Sequence, residues 1–331
     1  MWYTKFGNAG DVVLSSRVRL ARNLADLPFG AKMTKSQRDE LLDRAKKALP
    51  DLKYIEVSAL SDSEKTALCE CHLISPDMAA NKERCAVLVN NDCTVAVMVG
   101  EEDHFRIQAM KEGFSLKECL NEANRTDDEL EEKENIGFSE RFGYLTCCPT
   151  NVGTGMRASV MVHLPALTEC GKINAVISSL AKLGITVRGI YGEGSRALGN
   201  IYQISNQVTL GVSEEETIDK MTQVVTELIE QERSLGRKLY ESRKLQFEDR
   251  VCRALGTLNY SRILTSNEAM NLVSDVRWGV NLGIIKNISL ETLSELLYNT
   301  MPANMVKNYN LTDPTERDMK RSELFREGLK K

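Results

Sequence analysis

The sequence predicts a mixed α+β domain followed by an all-helical domain. Two β-branched apolar runs surround a polar N-N-D turn within residues 85–99, which is typical of an antiparallel hairpin. From Glu214 to about Arg250, apolar residues instead recur at helical spacing with charges between them. Because no strand period returns afterwards, we predict domains at residues 1–235 and 236–331.

The other elements of the first domain follow from periodicity. Residues 115–132 have an acidic helical pattern, and residues 157–165 are typical of a strand that leads into a helix reaching about Leu183. Two further strand patterns follow at residues 185–190 and 202–211. The acidic residues 101–103 directly follow the second strand of the hairpin, so we expect them at a strand end.

Capping residues define the helices of the second half. Ser213 and Glu216 form a capping box at the start of the long helix. Further helices are expected from Ser266 onward and at 290–299, and the Asp313-Pro314 pair is a good start for a terminal helix.

Composition excludes several classes of protein. A formal net charge of -4 gives no basis for a nucleic-acid partner held by its phosphates. The chain shows neither a signal-peptide pattern nor a long uncharged stretch, so we expect a cytoplasmic protein without a membrane contact. Nine cysteines, mostly in apolar runs, are expected to be reduced. The C-E-C-H run at 69–72 has no second cluster at zinc-ligand spacing, so no metal site is predicted.

The densest chemical signal is spread over four segments. Each contains an arginine beside a turn or strand end: S-S-R-V-R at 15–19, E-E-D-H-F-R at 101–106, C-P-T-N-V-G-T-G-M-R at 148–157 and R-G-I-Y-G-E-G-S at 188–195. The chain has neither a Walker A loop nor the H-R-D and D-F-G motifs of protein kinases. Converging guanidinium groups are another way to hold phosphates, because their planar forks match phosphate oxygens.

In this order, the four segments resemble the motifs of the ATP:guanido phosphotransferases, the phosphagen-kinase superfamily. S-S-R-V-R-L-A-R-N-L and Y-G-E-G-S-R-A-L-G-N-I-Y-Q-I-S-N-Q are similar to the bacterial protein-arginine kinases, and this likeness covers nearly the whole chain. The resemblance implies an antiparallel-sheet catalytic domain flanked by helices. It also implies transfer of the γ-phosphate of ATP, with Mg²⁺, to a guanidinium group.

The resemblance assigns a set of residues to ATP. His163 would lie against the adenine, and the phosphates would be held by Arg17, Arg19, Arg106, Arg157 and Arg188. Taken one at a time, these arginines could also be exposed strand-end charges. His163 lies on an apolar strand and could equally be a packed core histidine.

The resemblance also assigns the reacting groups. Glu102 and Glu193 match the two carboxylates of the family, and Cys148, followed by Thr150, matches its reactive cysteine. A guanidinium has a pKa above about 12, so it needs carboxylates to align it and accept its proton. The neighbours of Glu102 could share its role, Glu193 could be a mobile loop charge, and Cys148 could be an inert thiol.

Two departures from the family motifs leave these reacting groups in place. Gly100 stands where asparagine often precedes the acidic run, and Cys147 is not part of the cysteine motif. Neither position supplies a reacting group, so the implied chemistry is unaffected.

Two features favour arginine in proteins as the substrate. Animal phosphagen kinases carry a helical domain ahead of their S-R-V-R segment, which begins here at Ser15. Arg317, Asp318 and Arg321 are similar to the R-D-x-x-R phosphoarginine-binding motif of the bacterial family. The resemblance further implies a homodimer, allosteric control, stress-response roles, the Clp protease system and a zinc-binding activator. A kinase of free arginine and a non-catalytic phosphoarginine-binding adaptor are the alternatives.

Overall fold

An eight-stranded antiparallel sheet lies at the centre of the protein. The computed structural model describes residues 5–189 and 197–330. The strands are β1 (Val13–Arg22), β2 (Lys53–Glu56), β3 (Ala86–Val89), β4 (Val95–Val99), β5 (Phe105–Glu112), β6 (Phe138–Ser139), β7 (Gly143–Tyr144), β8 (Met156–His163), β9 (Ile185–Gly189) and β10 (Ile201–Asn206). The order across the sheet is β2-β3-β4-β5-β1-β8-β10-β9, and β6 and β7 form a separate ribbon.

The helices flank this sheet and make up the C-terminal part of the chain. They are α1 (Lys35–Ala48), α2 (Asp62–Glu70), α3 (Pro76–Ala80), α4 (Leu116–Glu131), α5 (Pro165–Glu169), α6 (Ile173–Lys182), α7 (Glu214–Ser242), α8 (Lys244–Tyr260), α9 (Ser266–Asn281), α10 (Leu290–Asn299), α11 (Pro302–Tyr309) and α12 (Pro314–Gly328). The predicted fold class, an antiparallel α+β part followed by helices, is confirmed.

The predicted hairpin and the position of the acidic run are also confirmed. Strands β3 and β4 pair in antiparallel register, and every residue of both strands is buried. Glu101 and Glu102 follow the end of β4 after a single glycine, Gly100, whose φ is 79°. The chain therefore turns sharply here and leaves the acidic side chains at the edge of the sheet.

The central strand β1 separates apolar from basic side chains by its alternation. Val18 and Leu20 are fully buried in the main core, which is shared with α4 and α7. The alternate residues Arg17 and Arg19 therefore lie on the opposite face. Pairing with β8 sets Arg19 directly opposite Arg157, so the sheet register brings two cations side by side.

The long helix α7 begins as predicted but extends past the expected boundary. The Ser213 side chain accepts from the Glu216 amide, and the Glu216 side chain accepts from the Ser213 amide, which completes the capping box. The helix continues to Ser242 and is followed by α8 after Arg243, so it crosses residue 235 without a break. The division at residue 235 remains a prediction.

Helices α8, α9, α10 and α12 enclose a core of their own, and α11 is joined to α2 by polar contacts. Val251, Leu258 and Phe325 belong to this second core. The backbone N–H groups of Ala303 and Asn304, at the start of α11, each donate to the Glu70 carboxylate of α2 at 2.8 Å. The Glu70 carboxylate of α2 therefore caps the start of α11.

Some predicted elements have different lengths. The helix expected to reach Leu183 is divided, because Gly171 adopts a φ of 66° between α5 and α6. Strand β10 ends at Asn206, whose side chain accepts from the Ala158 amide and donates to the Met156 carbonyl. These bonds turn the chain away from the sheet before residue 211.

The C-E-C-H run at 69–72 does not form a metal-binding cluster among the described residues. Within the described ranges, no group of three or more His, Cys, Asp or Glu side chains is arranged to hold a metal ion. Cys69 instead donates to the Ser75 carbonyl, and Cys71 is buried. None of the described helices is long and apolar enough to cross a membrane.

Candidate active site

A cleft of about 530 Å³ lies on the basic face of the sheet. Its lining comes from all four segments singled out in the sequence, from the start of α3 and from β10. The lining residues are Arg17, Arg19, Ala21, Ser75, Pro76, Asp77, Glu102, Arg106, Cys148, Thr150, Asn151, Gly155, Arg157, Arg188, Gly189, Gln203 and Ser205. The five predicted phosphate-binding arginines are therefore brought together.

The arginines reach the cleft from four strands of the sheet, three of them adjacent and the fourth, β9, separated from β8 by β10. Arg17 and Arg19 are on β1, and the other three are supplied by β5, β8 and β9. The described structure pairs Arg19 with no carboxylate, and its buried Nε has no hydrogen-bond partner. Burial and the positive charges of Arg17, Arg106 and Arg157 together hold the pKa of Arg19 well below its usual value, against a smaller opposing effect of Glu101.

Arg157 shows the same electrostatic environment. Burial lowers the pKa of Arg157, and the neighbouring Arg188 and Arg106 lower it further. Like charges held this close repel one another unless an anion lies between them. The basic wall of the cleft is thus suited to a ligand with several negative charges.

Two polar side chains position Arg17, and the sequence offered no signal for them. Arg17 Nη2 donates to Gln203 Oε1 at 3.2 Å, and Arg17 Nε lies 3.5 Å from Ser159 Oγ. Ser159 is opposite Arg17 in the β1–β8 register, and Gln203 lies one strand further, on β10. Because sheet register brings these residues together across 142 and 186 positions, sequence spacing could not identify them.

The three consecutive acidic residues after β4 have different environments. The Glu101 side chain is 5% exposed, and one of its oxygens lies 2.7 Å from Arg106 Nη1. Asp103 is buried, and its Oδ1 accepts from Asn23 Nδ2 at 2.8 Å and from the Cys147 amide at 2.7 Å. Glu102 is 43% exposed and lines the cleft, with Arg106 Nη2 at 3.5 Å. Glu102 is thus the accessible carboxylate of the three.

The electrostatic setting of Glu102 favours proton uptake. Partial burial is the largest cause that raises the pKa of Glu102; Asp103, Glu101 and Asp77 add to it, and Arg106 opposes it. A carboxylate with a raised pKa is a stronger base than an ordinary one.

Cys148 also lines the cleft, at the start of a short 3-10 turn. Its Sγ is 3.0 Å from Thr150 Oγ1, and its carbonyl accepts from Thr146 Oγ1 at 2.8 Å. Two residues beyond the turn, Gly153 has a φ of 115°, and a Cβ there would lie 2.1 Å from the Thr209 carbonyl oxygen. Glycine is required for the chain to fold this closely over the cleft.

Two predicted residues remain to be located. Glu193 lies outside the described residues. His163 is at the far end of β8 from Arg157, about 20 Å away along an extended strand. It is 2% exposed, with Nε2 2.8 Å from Ser274 Oγ of α9, and burial together with Arg277 holds its pKa well below the usual value. His163 is therefore packed in the core away from the arginines, and its contact with adenine remains a prediction.

The R-D-x-x-R residues lie together at the start of α12. Arg321 is 1% exposed, and it donates to the Thr300 carbonyl at 2.9 Å, to the Leu264 carbonyl at 2.8 Å and to Asp318. Arg317 donates through one nitrogen to the carbonyl groups of residues 311 and 312. Arg321 thus fastens the C-terminal helices together, whereas Arg317 is only partly enclosed.

Comparison with known proteins gave consistent matches. Residues 32–235 match the family described as the ATP:guanido phosphotransferase C-terminal catalytic domain, and residues 244–331 match the protein-arginine kinase McsB C-terminal domain. The chain is 47% identical to a protein-arginine kinase of Caldanaerobacter subterraneus, over 97% of this chain and 98% of that protein. It is 46% identical to one of Desulforamulus reducens, over 99% and 95% of the two chains.

Two solved kinase structures align with this chain. The chain aligns with lombricine kinase with a TM-score of 0.62 at 26% identity, covering 70% of this chain and 69% of that one. It also aligns with the duplicated taurocyamine kinase of Schistosoma mansoni with bound transition state analog components, with a TM-score of 0.61 at 29% identity. That match covers 69% of this chain and 34% of the duplicated chain.

Proposed function

Because the chain belongs to the protein-arginine kinases of the ATP:guanido phosphotransferase family, we propose that it transfers the γ-phosphate of ATP to arginine side chains of proteins. The single observation that carries this proposal is the polarity of the cleft. Five arginines line it, and Glu102 is an accessible carboxylate in the same lining. Such a cleft suits a polyanionic donor on one side and a cationic acceptor on the other.

On the donor side, Arg17, Arg19, Arg106, Arg157 and Arg188 would hold the phosphates of ATP. The unpartnered Nε of Arg19 supports this assignment, since a buried donor without an acceptor is costly until a ligand supplies one. Glu101 would keep the fork of Arg106 oriented toward the donor. Arg17 would be oriented in the same way by Gln203 and Ser159.

On the acceptor side, Glu102 would align the guanidinium and accept its proton. As the N–P bond forms, the bond between the γ-phosphorus and the oxygen of ADP breaks, and the proton of the attacking nitrogen passes to the Glu102 carboxylate. The raised pKa of Glu102 supports this role. Cys148, held near Thr150, would help to orient the guanidinium, and Glu193 would be the second carboxylate on the strength of the family motif.

A divalent cation, which we propose is Mg²⁺, would neutralise charge on the phosphates. Mg²⁺ in such sites is held largely by phosphate oxygens and water, so the cleft needs no preformed protein cage for it.

The finer biological roles are proposed from the family. Of the R-D-x-x-R residues, Arg317 and Asp318 would bind phosphoarginine, with the accessible donors of Arg317 best suited to the phosphate, and the buried Arg321 would hold Asp318 in position. We propose a cytoplasmic, allosteric homodimer that marks proteins for the Clp protease system, takes part in stress-response control and responds to a zinc-binding activator.

Two alternatives are weaker. A kinase of free arginine would use the same cleft, but full-length relatives at 44–47% identity are named protein-arginine kinases. A non-catalytic adaptor would not need an accessible Glu102 opposite an arginine cluster.

The test is incubation of the purified chain with Mg-ATP and either an unfolded arginine-rich protein or free arginine. Products are then read by mass spectrometry under conditions that preserve acid-labile P–N bonds. Phosphoarginine on the protein is the expected result. Phosphorylated free arginine alone would identify a metabolite kinase, and the absence of both products with the chain alone would contradict activity without an activator.

A further inference from the structure

Asp77 is an acidic side chain of the cleft that neither the sequence motifs nor the proposed reaction uses. It lies in the first turn of α3 and lines the same cavity as Glu102 and Cys148. Its side chain is exposed, and within residues 5–189 and 197–330 it makes no hydrogen bond or ion pair. Among the described lining residues, Asp77 and Glu102 are the two acids.

Helix α3 is fastened at both ends to the segment that carries Glu102. At its start, Ser75 Oγ accepts from the Met78 amide and donates to the Glu101 carboxylate. At its end, Asn81 Nδ2 donates to the Gly100 carbonyl at 3.3 Å. Between these two ends, the Met78 side chain of α3 is fully buried. These contacts hold Asp77 in a fixed position beside Glu102.

The charges of the cleft decide which substrate Asp77 faces. A triphosphate is drawn to the arginine wall and repelled by two neighbouring carboxylates. The side of the cleft that contains Asp77 and Glu102 therefore faces the acceptor arginine. Glu102 is assigned to the reacting guanidinium. The exposed Asp77 is therefore placed to interact with the substrate residues that flank the acceptor arginine.

We propose that Asp77 is a specificity-determining residue that favours acceptor arginines with basic neighbours and disfavours those with acidic neighbours. This inference rests on the proposed function and adds the class of protein site that it prefers. An exposed carboxylate attracts a nearby lysine and repels a nearby glutamate, and it does so before and during transfer. The charge effect is therefore expected in KM rather than in kcat.

The competing explanation is that Asp77 only stabilises the start of α3. An acidic residue in a first helical turn interacts favourably with the helix dipole. That role would change the stability of the protein without changing its choice among substrates. Substrate choice is thus the measurement that separates the two.

The experiment uses the full chain and three synthetic peptides, each with one arginine flanked by lysine, alanine or glutamate. The ratio of kcat/KM between the lysine and glutamate peptides is measured for the wild type, Asp77→Asn and Asp77→Lys. We expect Asp77→Asn to lower this ratio by about fivefold and Asp77→Lys to lower it further. Raising the salt from about 0.05 M to about 0.5 M should shrink the wild-type ratio toward that of Asp77→Asn.

Asp92→Asn is the matched control, because it removes the same charge at an exposed turn. That turn precedes β4, so it is roughly 17 Å of strand away from Glu102. Asp92→Asn should keep the wild-type ratio. An unchanged ratio in both Asp77 variants, or an equal loss on all three peptides, would overturn the inference while leaving the kinase activity established. A wild-type chain that phosphorylates free arginine but none of the peptides would instead overturn the proposed function.

Discussion

Arg106 Nη1 lies 2.7 Å from Oε2 of Glu101, a carboxylate that is almost entirely shielded from solvent. Glu102, the next residue, is exposed to the cleft and contacts the same arginine only at 3.5 Å. One acid therefore positions Arg106, which we propose binds phosphate, and its neighbour is left accessible from the cleft. The two consecutive residues thus have different environments: Glu101 is shielded beside Arg106, and Glu102 is exposed to the cleft.

Replacing Glu102 by glutamine should stop transfer while leaving ATP binding nearly intact. The amide keeps the size of the side chain but cannot accept the proton, so we expect kcat to fall by about 10²- to 10⁴-fold. ATP affinity is measured by calorimetry and transfer by phosphoarginine formation. Glu132→Gln, an exposed change at the end of α4, is the control. A comparable loss of ATP affinity would show that Glu102 does not act on the acceptor.

Replacing Arg19 by methionine should stabilise the free protein and weaken ATP binding. Arg19 is half-buried, with a buried Nε, beside Arg17, Arg106 and Arg157, whose charges oppose its own. Removing one of these charges should raise the free energy of unfolding by about 1 kcal/mol. Thermal unfolding with and without Mg-ATP measures both effects, and the shift caused by ATP should shrink.

Arg125→Met is the control for Arg19, since Arg125 is an arginine of α4 whose side chain is 74% exposed. It should leave both the stability and the ATP shift close to those of the wild type. A less stable Arg19→Met protein with a full ATP shift would contradict the proposed phosphate site.

The three residues of the R-D-x-x-R motif should respond differently to mutation. Arg317→Ala with Asp318→Ala should weaken phosphoarginine binding and largely preserve phosphorylation of substrate proteins. Arg321→Ala should instead destabilise the protein by about 3 kcal/mol, because it leaves buried carbonyl groups without their donor. Phosphoarginine titration and chemical denaturation measure the two effects. Unchanged phosphoarginine affinity in the double variant would show that neither Arg317 nor Asp318 binds phosphoarginine.

Glu232 should make stability depend on pH. It is buried on α7 and accepts from the amides of Ala166 and Leu167, and burial raises its pKa to about 7 despite these two donors. Between the unfolded pKa of 4.5 and about 7, the folded protein binds a proton that the unfolded chain does not. Its contribution is therefore fully present below pH 4.5 and is lost as the pH rises through about 7.

The corresponding measurement is the free energy of unfolding of the wild type and Glu232→Gln across this pH range. The wild type should lose stability relative to the variant by an amount on the order of 3 kcal/mol as the pH rises. Glu230→Gln, an exposed change on the same helix, should follow the wild type. Parallel curves for the wild type and Glu232→Gln would show that Glu232 titrates normally.

Local features of the chain were predictable because they depend on neighbouring residues. The hairpin of β3 and β4, the capping box of α7 and the proline at the start of α12 follow from residues within a few positions of one another. The arginines of the cleft were also identified from short motifs. The break between α5 and α6 was missed although the largely polar stretch at 168–172 contains Gly171, which adopts a left-handed conformation there.

By itself, the sequence determined the family, the fold class and the candidates for both sides of the reaction. Only the tertiary structure decided that Glu101 is tied to Arg106, that His163 is packed against α9, and that Gln203 orients Arg17. These outcomes depend on sheet register and burial, which join residues far apart in the chain. A side chain's chemical type is written in the sequence, but its partners and its exposure to solvent are set by the packing of the whole chain.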